Sequence, residues 1–155
     1  MTRTACLRFC LVALFALLAG CGGGPVKRIN PPIASLQQLS VQPDGTWKLD
    51  VRIQNFSTVP MTFATLEAAI EIDDRPGAQI FAHPNLDIPG NAADVTTLSV
   101  TPTPAGAAAL KSALAGTGVG YRITGKITAS EPAKSFDLRF ESRLSPVPGL
   151  AGTWR

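Results

Sequence analysis

A reactive centre needs side chains that trade protons, hold a metal or attack an electrophile, and this chain has few of them. His83 is the single histidine among 155 residues. Any Ser-His-Asp relay would therefore have to use it. No Gly-x-Ser-x-Gly turn presents a serine, and His83 stands beside Pro84, which reads as a surface turn. Asp73, Asp74, His83 and Asp87 are metal-ligating types, but their spacing fits neither a zinc pattern nor an EF-hand loop. They read as solvated turn acids. Paired carboxylates for glycoside chemistry are set by distance in space, and the acids here fall mostly on the outward faces of predicted strands. Gly116-Thr117-Gly118-Val119-Gly120 is glycine-rich but follows a predicted helix and precedes a strand, the reverse of a phosphate-cradling order. The expectation is a non-enzymatic chain with no catalytic residue, no metal and no cofactor.

The thiol of Cys21 is the exception. Arg3 and Arg8 open the chain without an acid, and Phe9 to Ala19 is an apolar run. A basic start, a short apolar stretch and small residues at its end make a secretory leader. The run is shorter than the roughly 20 apolar residues a spanning helix needs. It ends Leu18-Ala19-Gly20-Cys21, which matches the bacterial lipobox. The resemblance implies diacylglyceryl transfer to the Cys21 sulfur, cleavage between Gly20 and Cys21, and N-acylation of the new terminus. Two or three acyl chains, at about 0.8 kcal/mol per buried CH₂, hold a protein on a bilayer far better than one. Gly22 stands where an Asp would, by enterobacterial analogy, retain a lipoprotein in the inner membrane. The expected address is therefore the outer membrane, facing the periplasm. Gly22-Gly23-Gly24-Pro25 reads as a flexible tether.

Charge and cysteine content agree with export. The net charge is +3, but losing Arg3 and Arg8 leaves twelve basic and eleven acidic residues. No basic cluster interleaved with aromatics could track a phosphate backbone, so no nucleic-acid partner is expected. Cys6 and Cys10 leave with the leader, so no disulfide can form within the mature chain and a hydrophobic core must hold it. About 130 residues suffice for that.

The elements behind the tether alternate with period two. Trp47, Leu49, Val51 and Ile53 share one face, with Lys48, Asp50, Arg52 and Gln54 opposite. Gln42-Pro43-Asp44-Gly45 is a turn, and Leu36, Leu39 and Val41 before it suggest the partner strand of a hairpin. Leu66, Ala68, Ile70 and Ile72 form a further row, ended by Asp73-Asp74-Arg75-Pro76-Gly77. Short strands follow around Ala78, Ile80 and Ala82, and around Thr96, Leu98 and Val100. Thr103-Pro104 predicts a helix start, Ala105 to Ala115 its body, and Gly116 or Gly118 its end. Tyr121, Ile123 and Ile127 make the next strand, with Gly125 marking a bulge or close packing. Phe136, Leu138 and Phe140 make the last. The sum is all-β with one short helix: an immunoglobulin- or fibronectin-like antiparallel sandwich of about seven strands. The expected division is leader 1–20, lipidated Cys21 and tether 21–31, sandwich 32–145, and a C-terminal tail 146–155. Trp47 reads as core. Trp154 is left among packing on the domain, touching lipid and contacting a partner.

In this order the features of residues 31–145 resemble the WHy (water stress and hypersensitive response) domain of type-2 late-embryogenesis-abundant proteins. Pro32 precedes the first strand, Ser35–Val41, and the second closes on Asn in Val51-Arg52-Ile53-Gln54-Asn55. A polar loop and Pro follow in Phe56-Ser57-Thr58-Val59-Pro60, then the Leu66–Ile72 strand. A Tyr–Gly strand, Tyr121 to Lys126, and a Phe-rich strand, Phe136–Phe140, close the pattern. The family often places Asn or Pro straight after that first Asn; this chain has Phe56. The resemblance implies a small immunoglobulin-like or fibronectin-like sandwich with a helix, and a part in stress or desiccation tolerance by protecting client proteins. It brings no catalytic residues. Asn55 itself reads as structural, since an Asn at a strand end can bond nearby backbone groups. Two other roles compete: an envelope interaction module docking to a membrane complex, and a sandwich that binds lipid or a small ligand.

Overall fold

The computed structural model describes residues 26–113 and 118–155. The expected leader, Gly20 and Cys21, the first part of the tether, and the helix end at 114–117 lie outside them. Hydrophobic alternation is realised as two antiparallel sheets packed face to face. The first is built from β1 (Ile33–Val41), β2 (Trp47–Gln54), β6 (Ala93–Val100) and β9 (Thr153–Trp154), in the order β6-β2-β1-β9. The second runs β4 (Arg75–Ala82), β3 (Met61–Ile72), β7 (Val119–Glu131), β8 (Ala133–Leu144), and β5 (Leu86–Ile88) pairs with the start of β3. The fold is thus all-β, an antiparallel sandwich with one helix among the described residues, as expected.

The two inner faces make the core. Trp47, Leu49, Val51 and Ile53 of β2 are all buried while Lys48 and Arg52 are exposed. Leu66, Ala68, Ile70 and Ile72 of β3 answer from the other sheet, with Ile123, Ile127, Phe136 and Leu138 beside them. Burying such side chains contributes about 1.5–3 kcal/mol each.

Turn chemistry sets the registers. Asp73 and Asp74 both adopt positive φ (47° and 58°), and Ile72 pairs directly with Arg75. This is a two-residue hairpin of the primed type that right-twisted strands favour. The expected strand break at Asp73–Gly77 is therefore only two residues wide, because β4 starts at once and carries Pro76 and Gly77 itself. Gly125 sits opposite Ala68, where an added Cβ would lie 2.2 Å from the Glu67 carbonyl oxygen. Of the two expectations for it, close packing holds.

The helix α1 spans Pro104–Ser112. The Thr103 hydroxyl accepts from Gly106 N–H at 3.0 Å, and Pro104 occupies the first turn, as expected. Gly106 packs on Gly77 of β4 so closely that a Cβ would meet the Gly77 Cα at 2.5 Å. Ala109 and Leu110 are its buried side chains.

Two expected boundaries need correction. Residues 146–155 are not a tail. Val41 N–H bonds to Gly152 carbonyl at 2.8 Å, Ser145 and Arg155 exchange both backbone bonds (2.6 and 2.9 Å), and Leu39 pairs with Trp154. Trp154 is 2% exposed, which selects the first of its three readings. The physical reason is that β1 has an open edge beside a core gap that an indole fills. The expected tether, 21–31, also shortens, because residues 26–30 are bonded to the sandwich, as described below. The nine strands among the described residues exceed the expected seven because β5 and β9, of three and two residues, are too short to show a period.

Candidate functional site

Three places on the surface are organised beyond what the core requires. One is the end of the sandwich where the chain enters it. Asn55, at the end of β2, is fully buried. Its Nδ2 lies 2.9 Å from Val59 O, 3.0 Å from Ile88 O and 3.2 Å from Pro89 O, while its Oδ1 accepts from Ser57 N–H at 2.9 Å. One amide thus ties the loop after β2 to the loop after β5. The expected structural role of Asn55 is what the geometry gives. Ser57, also fully buried, turns its hydroxyl to Asn30 N–H at 3.0 Å. Thr58 continues the clasp: its N–H donates to Arg28 O, and its hydroxyl accepts from Arg28 N–H and donates to Val26 O, the last two at 2.8 Å. Asn30 Nδ2 donates to Phe56 O at 2.8 Å. Residues 26–30 are therefore clamped on the 55–58 loop. The polar loop Phe56-Ser57-Thr58 is what receives them, a function that composition alone did not suggest.

At the opposite end, an apolar cleft of about 360 Å³ opens between the β1–β2 turn, α1 and the returning C-terminus. Trp47, Trp154, Leu110 and Val41 line it, with Lys111 at its edge. Trp154 Nε1 is buried without a hydrogen-bond partner among the described residues. Such an atom ordinarily costs about 1–3 kcal/mol, so the ring is held there by its packing. Both tryptophans belong to the core, and only the tertiary fold brings Trp154 beside Trp47.

The third place is a charged hollow on the second sheet. Arg122 of β7 bonds Glu141 through Nε at 2.8 Å and Glu71 through Nη1 at 2.5 Å, and reaches Asp74 at 3.0 Å. Cross-strand register puts Glu71, Arg122 and Glu141 in one row. Bonding to Glu141 first, and then to Glu71, raises the Arg122 pKa further above its ordinary range. The same hydrogen bond and charge hold the Glu141 carboxyl below the usual carboxylate range. Beneath the row, burial pushes the Tyr121 phenol up, and its oxygen accepts from Leu36 N–H at 3.1 Å, tying the sheets together. An arginine saturated by carboxylates is poorly placed to take an anionic ligand, and exposed pairs of this kind are worth little stability.

The residues that the sequence offers for chemistry are scattered. Asp73 and Asp74 lie at one end of β4 and His83 and Asp87 beyond the other, about 30 Å apart by strand rise. His83 is exposed, in the loop between β4 and β5. Asp87 accepts from Thr62 Oγ1 at 2.6 Å, and Asp73 from Gly120 N–H at 2.9 Å, both turn and edge contacts. Gly118 and Gly120 lead into β7 rather than a helix. Among the described residues no group of three or more His, Cys, Asp or Glu is gathered as a metal site would need. Among them, too, no helix is long and apolar enough to cross a membrane.

No known family model matches the chain, and no curated protein matches it significantly. Solved structures similar in chain path include these three. A crystal structure of a protein from Archaeoglobus fulgidus is 13% identical, with 77% of this chain and 98% of that one covered, at a TM-score of 0.43. A solution structure of an Arabidopsis thaliana protein is 10% identical over 81% of this chain and 85% of that one, at a TM-score of 0.47. A glycoside hydrolase family 2 β-galacturonidase from Eisenbergiella tayi is 13% identical, with 76% of this chain and 18% of that enzyme covered, at a TM-score of 0.33.

Proposed function

We propose that the chain is a non-enzymatic bacterial lipoprotein, held on the periplasmic face of the outer membrane by acyl chains on Cys21. Its sandwich protects client proteins at the envelope during drying or related stress. The observation that carries the anchor is Leu18-Ala19-Gly20-Cys21 at the end of a basic-then-apolar leader. Small side chains before the cleavage point admit the backbone to a peptidase, and only a thiol at position 21 can form the thioether. What supports the protective role is the resemblance of residues 31–145 to the WHy domain. A sandwich offers such a role broad, polar outer faces and does not need a reactive centre.

Two experiments test the two halves separately. Cells fed labelled palmitate should label the wild-type chain and not Cys21→Ala, whose product should stay as the uncleaved precursor; equal labelling of both would refute the anchor. For the second half, a labile enzyme is dried in the presence of the mature chain carried on vesicles, or of the same mass of albumin with plain vesicles. Matched loss of activity would refute protection. The apolar cleft favours a second reading, a small-ligand sandwich. Native mass spectrometry of the chain extracted from membranes reads it directly as a retained mass.

A further inference from the structure

We propose that the end of the sandwich formed by residues 26–30 and Phe56 is a foot that rests on the bilayer, with its apolar side chains in the headgroup boundary and Lys27 and Arg28 against lipid phosphates. The proposal rests on acylation of Cys21. Given that anchor, chain length decides the orientation. Among the described residues, bonding to the sandwich starts at Val26, whose carbonyl accepts from Thr58. Five residue steps separate Val26 from Cys21, and each spans at most about 3.6 Å, so the leash is at most about 18 Å. The nine residues of β1 run away from this end over about 26 Å. A leash shorter than the body it holds keeps the near end down; the far end cannot replace it on the membrane.

That near end has the composition of an interfacial surface. Val26 is 65% exposed, Phe56 43% and Ile29 39%, and all three lie on the clamped segment or the loop that holds it. They are among the few large apolar residues left in water. Lys27 and Arg28 stand between Val26 and Ile29, exposed, and their side chains have no carboxylate partner among the described residues. The acids at this end are Asp87 and Glu131 of the second sheet, where Asp87 is occupied by Thr62, and Asp94 of the first, whose carboxylate accepts from Val95 N–H. Apolar side chains with flanking basic ones, beside a lipid anchor, suit a bilayer that contains acidic phospholipid. The clamp by Asn30, Ser57 and Thr58 is what makes the foot rigid. It also turns the Trp47–Trp154 cleft toward the aqueous side, away from the anchor.

The test uses the full mature lipoprotein in vesicles of phosphatidylethanolamine with phosphatidylglycerol. With Cys21 acylated, a cysteine introduced as Phe56→Cys or Lys48→Cys is the one free thiol and takes an environment-sensitive dye. Lipid-borne nitroxide should quench the dye at 56 at least threefold more than the dye at 48. Val26→Cys should behave like 56, which guards against a local effect of losing Phe56. Lys27→Glu with Arg28→Glu, or vesicles of phosphatidylcholine alone, should reduce quenching at 56 by about half or more. Equal quenching at 56 and 48 in protein that floats with the vesicles would overturn the foot and leave the lipoprotein reading standing. Quenching at 56 that ignores both the charge reversal and the lipid would overturn the phosphate contacts. Protein that does not float at all would overturn the anchor, and the foot with it.

Discussion

Replacing Asn55 by Ala removes one amide and strips partners from several backbone groups at once. Ile88 O and Ser57 N–H are in fully buried bonds, and Val59 O and Pro89 O are partly buried. A buried group left unpaired costs about 1–3 kcal/mol, and partly buried ones recover some of this from water. The expected loss is about 3–4 kcal/mol, most of it from the two buried bonds. For a domain of this size that lowers Tm by roughly 10–15 °C. Differential scanning calorimetry on the mature chain measures it. Asn55→Asp sharpens the test. It keeps an acceptor for Ser57 N–H but sets a carboxylate against three carbonyl oxygens in a buried site. Its folded pKa must therefore rise above the unfolded value of about 3.9. A native state that holds its proton to higher pH loses stability as pH rises from the unfolded pKa through the folded one. Asn55→Asp should be less stable than Asn55→Ala at pH 7 and approach it near pH 4. A Tm loss below about 3 °C for the alanine variant, or a pH-independent gap between the two, would refute the idea that this amide is the bolt between the two loops.

The C-terminal strand makes a clear contrast. Deleting 146–155 uncovers the edge of β1 and removes Trp154, and should cost about 3–5 kcal/mol by chemical denaturation, whereas a dispensable tail would cost nothing. Trp154→Phe loses some packing but also removes the unpartnered Nε1, so its cost should stay under about 1.5 kcal/mol; a larger loss would mean that the nitrogen has a partner. Gly125→Ala forces a Cβ against the Glu67 carbonyl and Ala68 Cα, both backbone, and should destabilise by about 3 kcal/mol or leave the protein insoluble; a neutral result in urea unfolding would show that β3 and β7 can part there. The Glu141 carboxyl should titrate below the usual range in a carbon-detected NMR series and return toward it in Arg122→Gln. Because that pKa is depressed in the fold, its small stabilising effect is present above the unfolded carboxylate pKa and fades as pH falls through the folded one.

Strict alternation in Trp47–Ile53, Leu66–Ile72 and Phe136–Phe140 was enough to fix which side of each strand is buried, because a period of two is a local property of an extended chain. The helix start was also legible, since a Thr-Pro cap acts within one turn. So was the structural character of Asn55, though not its partners. The sequence was silent on β5 and β9: runs of three and two residues carry no measurable period, and their pairing depends on which edges the other strands leave open. For the same reason the last ten residues read as a tail until Trp154 had a gap to fill. Tertiary structure alone decided that residues 26–30 are clamped by Ser57 and Thr58, 27 or more positions away, because no local signal records a partner so distant. Composition and periodicity set the layers of this molecule. The meeting of distant loops set where its entering chain is held, and so how far from an anchor the body can stand.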